Sequence, residues 1–150
     1  MKKIARLIAT LFYTGYIPRA QGTIASFLAL PFYFLVKDNT ALYLSLTVCL
    51  LAAGFWSSAA AEKDFTRKDP PEIVIDEFSC FFLALLFVPY SRRALVLGFI
   101  LFRFFDIVKI PPLKKLQTLP GGWGIMLDDV AAAILANLIL QVLRFFPVFI

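Results

Sequence analysis

Apolar residues dominate five stretches of the chain, roughly 23–36, 41–61, 73–90, 94–108 and 130–150, and the charged residues gather between them. A helix needs about 20 predominantly apolar residues to cross a bilayer at about 1.5 Å per residue. The second and last stretches reach that length. The first and fourth are shorter and would need tilt, a position sunk short of one interface, or polar flanking turns. A further stretch, 4–16, mixes apolar residues at helical spacing with Lys2, Lys3 and Arg6. It predicts an interfacial or short buried helix. Punctuation supports the boundaries. Asp69-Pro70-Pro71-Glu72 offers an N-cap acid, prolines in the first turn and a glutamate three residues after the cap, which predicts a helix start there. Gly121, Gly122 and Gly124 predict a break before the last helix, with Asp128 and Asp129 in its first turn. The expected fold is all-α: a polytopic helical membrane protein of about four or five hydrophobic helices, plus the short N-terminal helix, in one domain over 1–150.

Composition strengthens the membrane expectation. The chain is 61% hydrophobic with a mean hydropathy of +0.83, whereas soluble domains hold about 45–50% apolar residues. One core of this size cannot hide the surplus, so it must face lipid or partner chains. Cys49 and Cys80 lie in apolar runs without pairing or ligand spacing, and read as small core or lipid-facing residues. The formal charge of +5 is scattered singly or in pairs, with no basic stripe for nucleic acid. The N-terminus lacks the clean apolar run and small-residue site of a cleaved signal peptide.

Placement of charge predicts orientation. If the N-terminus is cytoplasmic and all five stretches cross, the inside holds Lys2, Lys3, Arg6, Arg19, Lys63, Arg67, Lys68, Lys109, Lys114 and Lys115. The outside holds Lys37, Arg92, Arg93 and Arg144. That satisfies the positive-inside bias. The same arrangement puts every acid except Asp38 at or near the cytoplasmic helix ends.

Those acids carry the candidate chemistry. Asp76-Glu77 lies in an apolar run with Glu72 one turn before Asp76, Asp106 is embedded in Phe104-Phe105-Asp106-Ile107-Val108, and Asp128-Asp129 follows Gly124-Ile125-Met126-Leu127. Ionised carboxylates in such settings cost several kcal/mol unless compensated. Simple compensations exist. Glu72 can complete a capping box, Asp128 or Asp129 can cap the last helix, and Arg103 can pair with Asp106 three residues on. Carboxylates from three helices near one membrane face are also what a hard divalent cation neutralises. Oxygen-only ligands select magnesium or a similar ion rather than zinc. The chain has no histidine, which removes Ser-His-Asp catalysis, phosphohistidine and His-ligated metals. Neither cysteine begins a Cys-x5-Arg phosphate loop, and no Asp-x-Asp nucleophile pattern is present. Water, metal and carboxylate remain as the means of hydrolysis. Arg103 and Lys109 flank Asp106 as phosphate-side candidates, and Arg19 precedes Gly22-Thr23, whose backbone N–H groups could meet an anion at a helix start. Lys114 and Lys115 read as interfacial anchors.

Three blocks resemble the bacterial phosphatidylglycerophosphatase A family. Residues 15–26 (GYIPRAQGTIAS) are similar to its Ser-Pro-x-x-Pro-Gly-Thr-x-Gly-Ser stretch, and 69–78 (DPPEIVIDEF) to its Asp-Pro-x-Glu-Ile-Val-x-Asp-Glu signature. The third block joins 102–109 (FRFFDIVK) to 121–129 (GGWGIMLDD). Departures are Gln21 for the usual Pro, Ser79-Cys80 for Val-Gly or Ile-Gly, and Ile110-Pro111-Pro112 for Pro-Trp-Pro; none removes a carboxylate. The resemblance implies an all-helical enzyme that hydrolyses phosphatidylglycerophosphate to phosphatidylglycerol and inorganic phosphate with magnesium, at the cytoplasmic face of the bacterial inner membrane. It maps the family's acids onto Glu72, Asp76, Glu77, Asp106, Asp128 and Asp129 as metal ligands. Asp76, Glu77, Asp128 and Asp129 are the catalytic expectation, and Arg19, Thr23, Arg103 and Lys109 the substrate-binding one. The rival class is a non-enzymatic membrane protein, a cation-binding transporter subunit or an assembly factor, whose carboxylates would line a path through the membrane instead of gathering at one face.

Overall fold

Caps and proline constraints set the helix ends. The computed structural model describes residues 2–65 and 68–146. It contains α1 (Lys2–Ala9), α2 (Gln21–Val36), α3 (Thr40–Ala61), α4 (Ile75–Ala84), α5 (Arg92–Val108), α6 (Pro111–Leu116) and α7 (Gly122–Leu143), with 3-10 turns at Thr14–Tyr16 and Glu62–Asp64. No strand occurs among the described residues. Asn39 starts α3 by accepting from the Leu42 N–H at 3.0 Å, and Ser91 starts α5 by accepting from Ala94 at 3.0 Å.

Helix α4 is central, packing on α7, α2 and α3, while α5 packs on α7 and α1 on α3. Phe81, Phe82, Phe102 and Met126 fill the core between them. α3 and α7 meet closely because Gly122 lies against the Ala59 backbone, where a Cβ would collide. α2, α3, α4, α5 and α7 alternate in direction. One end of the bundle therefore gathers the starts of α2, α4 and α7 with the ends of α3 and α5, as the contacts of Gly22, Gly122 and Lys109 record. The opposite end gathers Tyr33, Tyr43 and Tyr90, with Lys37 Nζ 4.6 Å from the Tyr90 ring centre. Asp38 alone among the ten acids lies at that end.

Among the described residues two helices, α3 and α7, are long and apolar enough to cross a membrane, and α2 is a shorter apolar helix. Less than half of the most apolar window in either long helix is buried inside the bundle. Large apolar side chains, among them Phe32, Leu35, Val48, Ile100 and Leu138, cover the outer faces. Lipid solvates an apolar exterior of that extent.

Several sequence expectations shift. The third helix starts at Ile75, not at Asp69. Asp69 and Pro70 each precede a proline, which disfavours helical backbone, and Asp69 takes a left-handed φ of 50°. Its carboxylate accepts from Gln117 Nε2, and the Val74 N–H is taken by the Ala9 carbonyl at 2.9 Å. Glu72 consequently caps no helix. The last helix starts at Gly122, so Asp128 and Asp129 sit in its second turn and do not cap it. The stretch 4–16 divides, because Leu11, Phe12 and Tyr13 all adopt positive φ after α1. The short α6, which contains Lys114 and Lys115, was not anticipated. Arg67 and residues 147–150 of the last predicted stretch lie outside the described residues.

The third predicted stretch, 73–90, also ends early as a helix. Ten residues rise about 15 Å, half a bilayer. Its terminal carbonyls are nonetheless satisfied. Tyr43 Oη donates to Phe82 O at 2.6 Å, Asn137 Nδ2 donates to Ala84 O at 3.0 Å and Leu86 O at 2.8 Å, and Gln141 Nε2 donates to Leu86 O at 3.1 Å. Backbone N–H groups of Leu86 and Val88 take the carbonyls of Leu83 and Leu85. A broken helix is tolerated at membrane depth when neighbours complete its hydrogen bonds in this way.

Candidate metal centre

At the other end of α4 the bookkeeping is reversed. Asp76 and Glu77 occupy its first turn, where the helix dipole favours anions. Asp129, from the second turn of α7, faces them. One carboxylate oxygen from each of the three lies within 4.8 Å of the other two. Asp76 and Asp129 are buried, and the Glu77 side chain is only 15% exposed. Asp76 Oδ1, Glu77 Oε2, Asp128 Oδ1 and Asp129 Oδ2 are buried without a hydrogen-bond partner.

Two cations border the trio, each held by a carboxylate outside it. Arg103 Nη1 lies 2.6 Å from Asp106 Oδ2 and 3.8 Å from Glu77 Oε1. Lys109 Nζ donates to Asp128 Oδ2 at 2.5 Å. Lys109 follows the last turn of α5 in a left-handed conformation, φ 41°, which turns the chain there. Burial works against its charge, but the hydrogen bond to Asp128 and the surrounding carboxylates outweigh it and raise its pKa above the ordinary lysine value. If all five carboxylates are ionised they face two cations, and mutual repulsion in a low dielectric is strong.

The start of α2 closes the site. Gly22 lies against Glu77 and Arg103 so tightly that a Cβ would overlap Glu77 Oε1 and come within 2.9 Å of Arg103 Nη2. Only glycine lets this turn approach both groups. Thr23 follows it, half-buried, while Arg19 is exposed before the helix. Of the six acids anticipated as ligands, three therefore form the close group. Asp106 and Asp128 are engaged by Arg103 and Lys109. Glu72 is half-buried in the turn before α4, its backbone carbonyl packed on Gly15.

The donor set suits a hard divalent cation. It is all oxygen, it is buried, and it leaves unpartnered lone pairs converging from two helices. The pairing of Lys109 with Asp128 is absent from the sequence expectation, because nothing local marks a contact across nineteen residues. The Gly22 contact was anticipated only as a possible anion-binding turn.

Known proteins give the same neighbourhood. The family model described as phosphatidylglycerophosphatase A matches residues 7–144. A Bacteroides thetaiotaomicron protein named "Putative phosphatidylinositol-3-phosphatase" is 35% identical, with 92% of each chain covered. Phosphatidylglycerophosphatase A of Escherichia coli is 32% identical over 87% of this chain and 77% of its own. The Haemophilus influenzae protein of the same name is 32% identical over 97% and 94%. No solved structure matches.

Proposed function

Because the chain belongs to the phosphatidylglycerophosphatase A family, we propose that it hydrolyses phosphatidylglycerophosphate to phosphatidylglycerol and inorganic phosphate, and that it requires magnesium. The observation that carries the metal requirement is the set of unpartnered, buried carboxylate oxygens on Asp76, Glu77 and Asp129. A neutral or transport role gives no reason to concentrate such atoms at one end of the bundle.

In this mechanism Asp76, Glu77 and Asp129 hold the ion. When bound, the ion supplies charge to polarise the phosphoryl group and lower the pKa of water. Asp128 is fixed through Oδ2 by Lys109, and its free Oδ1 accepts the proton of the attacking water. The water oxygen bonds to phosphorus, the phosphorus–oxygen bond to the glycerol breaks, and the departing alcohol takes a proton from solvent. Arg103, steadied by Asp106, and Lys109 attract the phosphoryl oxygens. The first-turn N–H groups of α2, which no side chain caps, are offered to the same anion around Gly22 and Thr23, and Arg19 guides it from solvent. Glu72 is assigned to the outer edge of the metal site.

The setting follows from the same residues. The whole chain acts as one domain in the bacterial cytoplasmic membrane. α2, α3, α5 and α7 cross, α4 with the segment after it makes a fifth passage, and the acid-rich end faces the cytoplasm. Basic residues concentrate at that end, as the positive-inside bias requires. The substrate is a membrane phospholipid; nucleic acid has no place in this scheme.

Phosphate release by the purified protein in detergent, with and without magnesium, tests the proposal. Turnover of phosphatidylglycerophosphate that stops on chelation is expected. Turnover undiminished by chelation would remove the metal role, and preference for phosphatidylinositol 3-phosphate would reassign the head group.

A further inference from the structure

The turn before α4 holds an acid that the proposed mechanism does not use. Asp69 keeps its left-handed φ of 50° ahead of Pro70, a conformation that persists in a non-glycine residue only where its surroundings hold it. Here they do. Its N–H donates to Glu62 Oε1 at 3.5 Å, its carboxylate accepts from Gln117 Nε2, and Pro70 beside it is fully buried. Gln117 belongs to a strap, residues 110–121, that begins directly after Lys109 and runs through α6 into α7, the helix bearing Asp128. Buried Leu113 anchors α6. The return limb lies on α7, where a Cβ on Gly124 would come within 2.5 Å of the Leu119 carbonyl oxygen and 2.9 Å of that of Gln117. Lys68 Nζ makes a second tie, to Thr118 O at 2.8 Å.

We propose that Asp69 is a positioning residue of the site: by holding Gln117 it sets the strap, and the strap sets Lys109 on Asp128. The inference rests on the function proposed above, in which that pair serves the attacking water and the phosphoryl oxygens. Lys109 is the hinge between α5 and α6, at a left-handed φ of 41°. Its ammonium reaches Asp128 on a flexible stem, so it is only as well placed as the backbone that carries it. α5 fixes that backbone from one side, where the Lys109 N–H donates to the Phe105 carbonyl at 3.0 Å. The strap fixes it from the other, where the Leu113 N–H donates to the Ile110 carbonyl at 2.9 Å. The tie from Asp69 to Gln117 is partly buried, where a hydrogen bond is electrostatically stronger, whereas the Lys68 contact is exposed. Asp69 is also near enough for its charge to join the field that raises the Lys109 pKa.

The test is a swap in the full-length protein in detergent. Gln117→Glu sets carboxylate against carboxylate and should lower kcat on phosphatidylglycerophosphate about tenfold, with KM changed less than about threefold. The double variant Asp69→Asn/Gln117→Glu exchanges donor and acceptor across the same contact, and should return kcat to within about threefold of wild type. In a Lys109→Ala background, Gln117→Glu should cost no more than about twofold, because its target is gone. Equal losses in both backgrounds, as a merely structural role gives, or no rescue by the swap, overturns the positioning role. A second readout needs no turnover and uses the milder Gln117→Ala. Acetic anhydride labelling of Lys109, measured against exposed Lys3 by mass spectrometry, should be severalfold faster in Gln117→Ala than in wild type. An unchanged ratio overturns the proposal. A wild type that releases no phosphate rejects the phosphatase function instead, and the labelling then decides whether the strap holds Lys109.

Discussion

The two ends of α4 bury polar groups under nearly the same constraint and resolve it differently. At the C-terminal end, carbonyls stranded halfway through the bundle receive hydrogen bonds from Tyr43, Asn137, Gln141 and nearby backbone N–H groups. At the N-terminal end, Asp76 and Glu77 meet Asp129, and each of the three keeps an oxygen with no protein partner. The fold can therefore complete buried polar networks where it has only itself to satisfy. Where it leaves carboxylate oxygens unpartnered, the three acids form a group able to hold a hard cation, the role the proposed function gives them.

The largest effect should come from removing that difference. Asp129→Asn or Asp76→Asn should cut phosphate release by on the order of a thousandfold, with helical content retained. The same substitutions should raise Tm in chelator, since they relieve repulsion, and should abolish the rise in Tm that wild type gains on adding magnesium. Circular dichroism melts with and without chelator check both signs. A variant that lost activity and also melted lower in chelator would point to a structural role instead.

Lys109→Ala is expected next in size. It frees Asp128 and removes a phosphate-side charge, so kcat/KM should fall by about a hundredfold. Because Lys109 is no ligand, magnesium should still stabilise this variant, and the melt again separates the two roles.

How far the sequence foretold this arrangement depends on the range of each contact. α2, α3 and α5 were legible because their apolar lengths are local signals. The acids Asp76, Glu77 and Asp129 stood out because charge embedded in apolar sequence is costly. The false helix start at Asp69 arose because its carboxylate is used by Gln117, forty-eight residues away. The early end of α4 was equally hidden, since Asn137 and Gln141 supply it from α7. The division of the six candidate acids into a close trio, two ion-paired members and Glu72 in the turn before α4 depends on tertiary distances that spacing does not encode.

At the satisfied end of α4 the expected effect is on stability alone. Asn137→Leu should leave the Ala84 carbonyl unpartnered and cost about 1–3 kcal/mol, seen as a lower Tm, while activity per folded molecule and its magnesium dependence stay unchanged. Gln141 still serves Leu86, which limits the loss. The smallest effect belongs to Asp38→Asn. This acid pairs with Lys37 at 2.7 Å at the far end of the bundle, so turnover should remain within about twofold of wild type. A larger drop would show that the two ends are coupled.

The most direct measurement is calorimetric titration of the detergent-solubilised, metal-free protein with magnesium, in wild type and Asp129→Asn. Saturable binding in wild type, lost in the variant with its fold intact, is the predicted result. Equal binding by both proteins, or none by an active wild type, would contradict the assignment of Asp76, Glu77 and Asp129 as the metal centre.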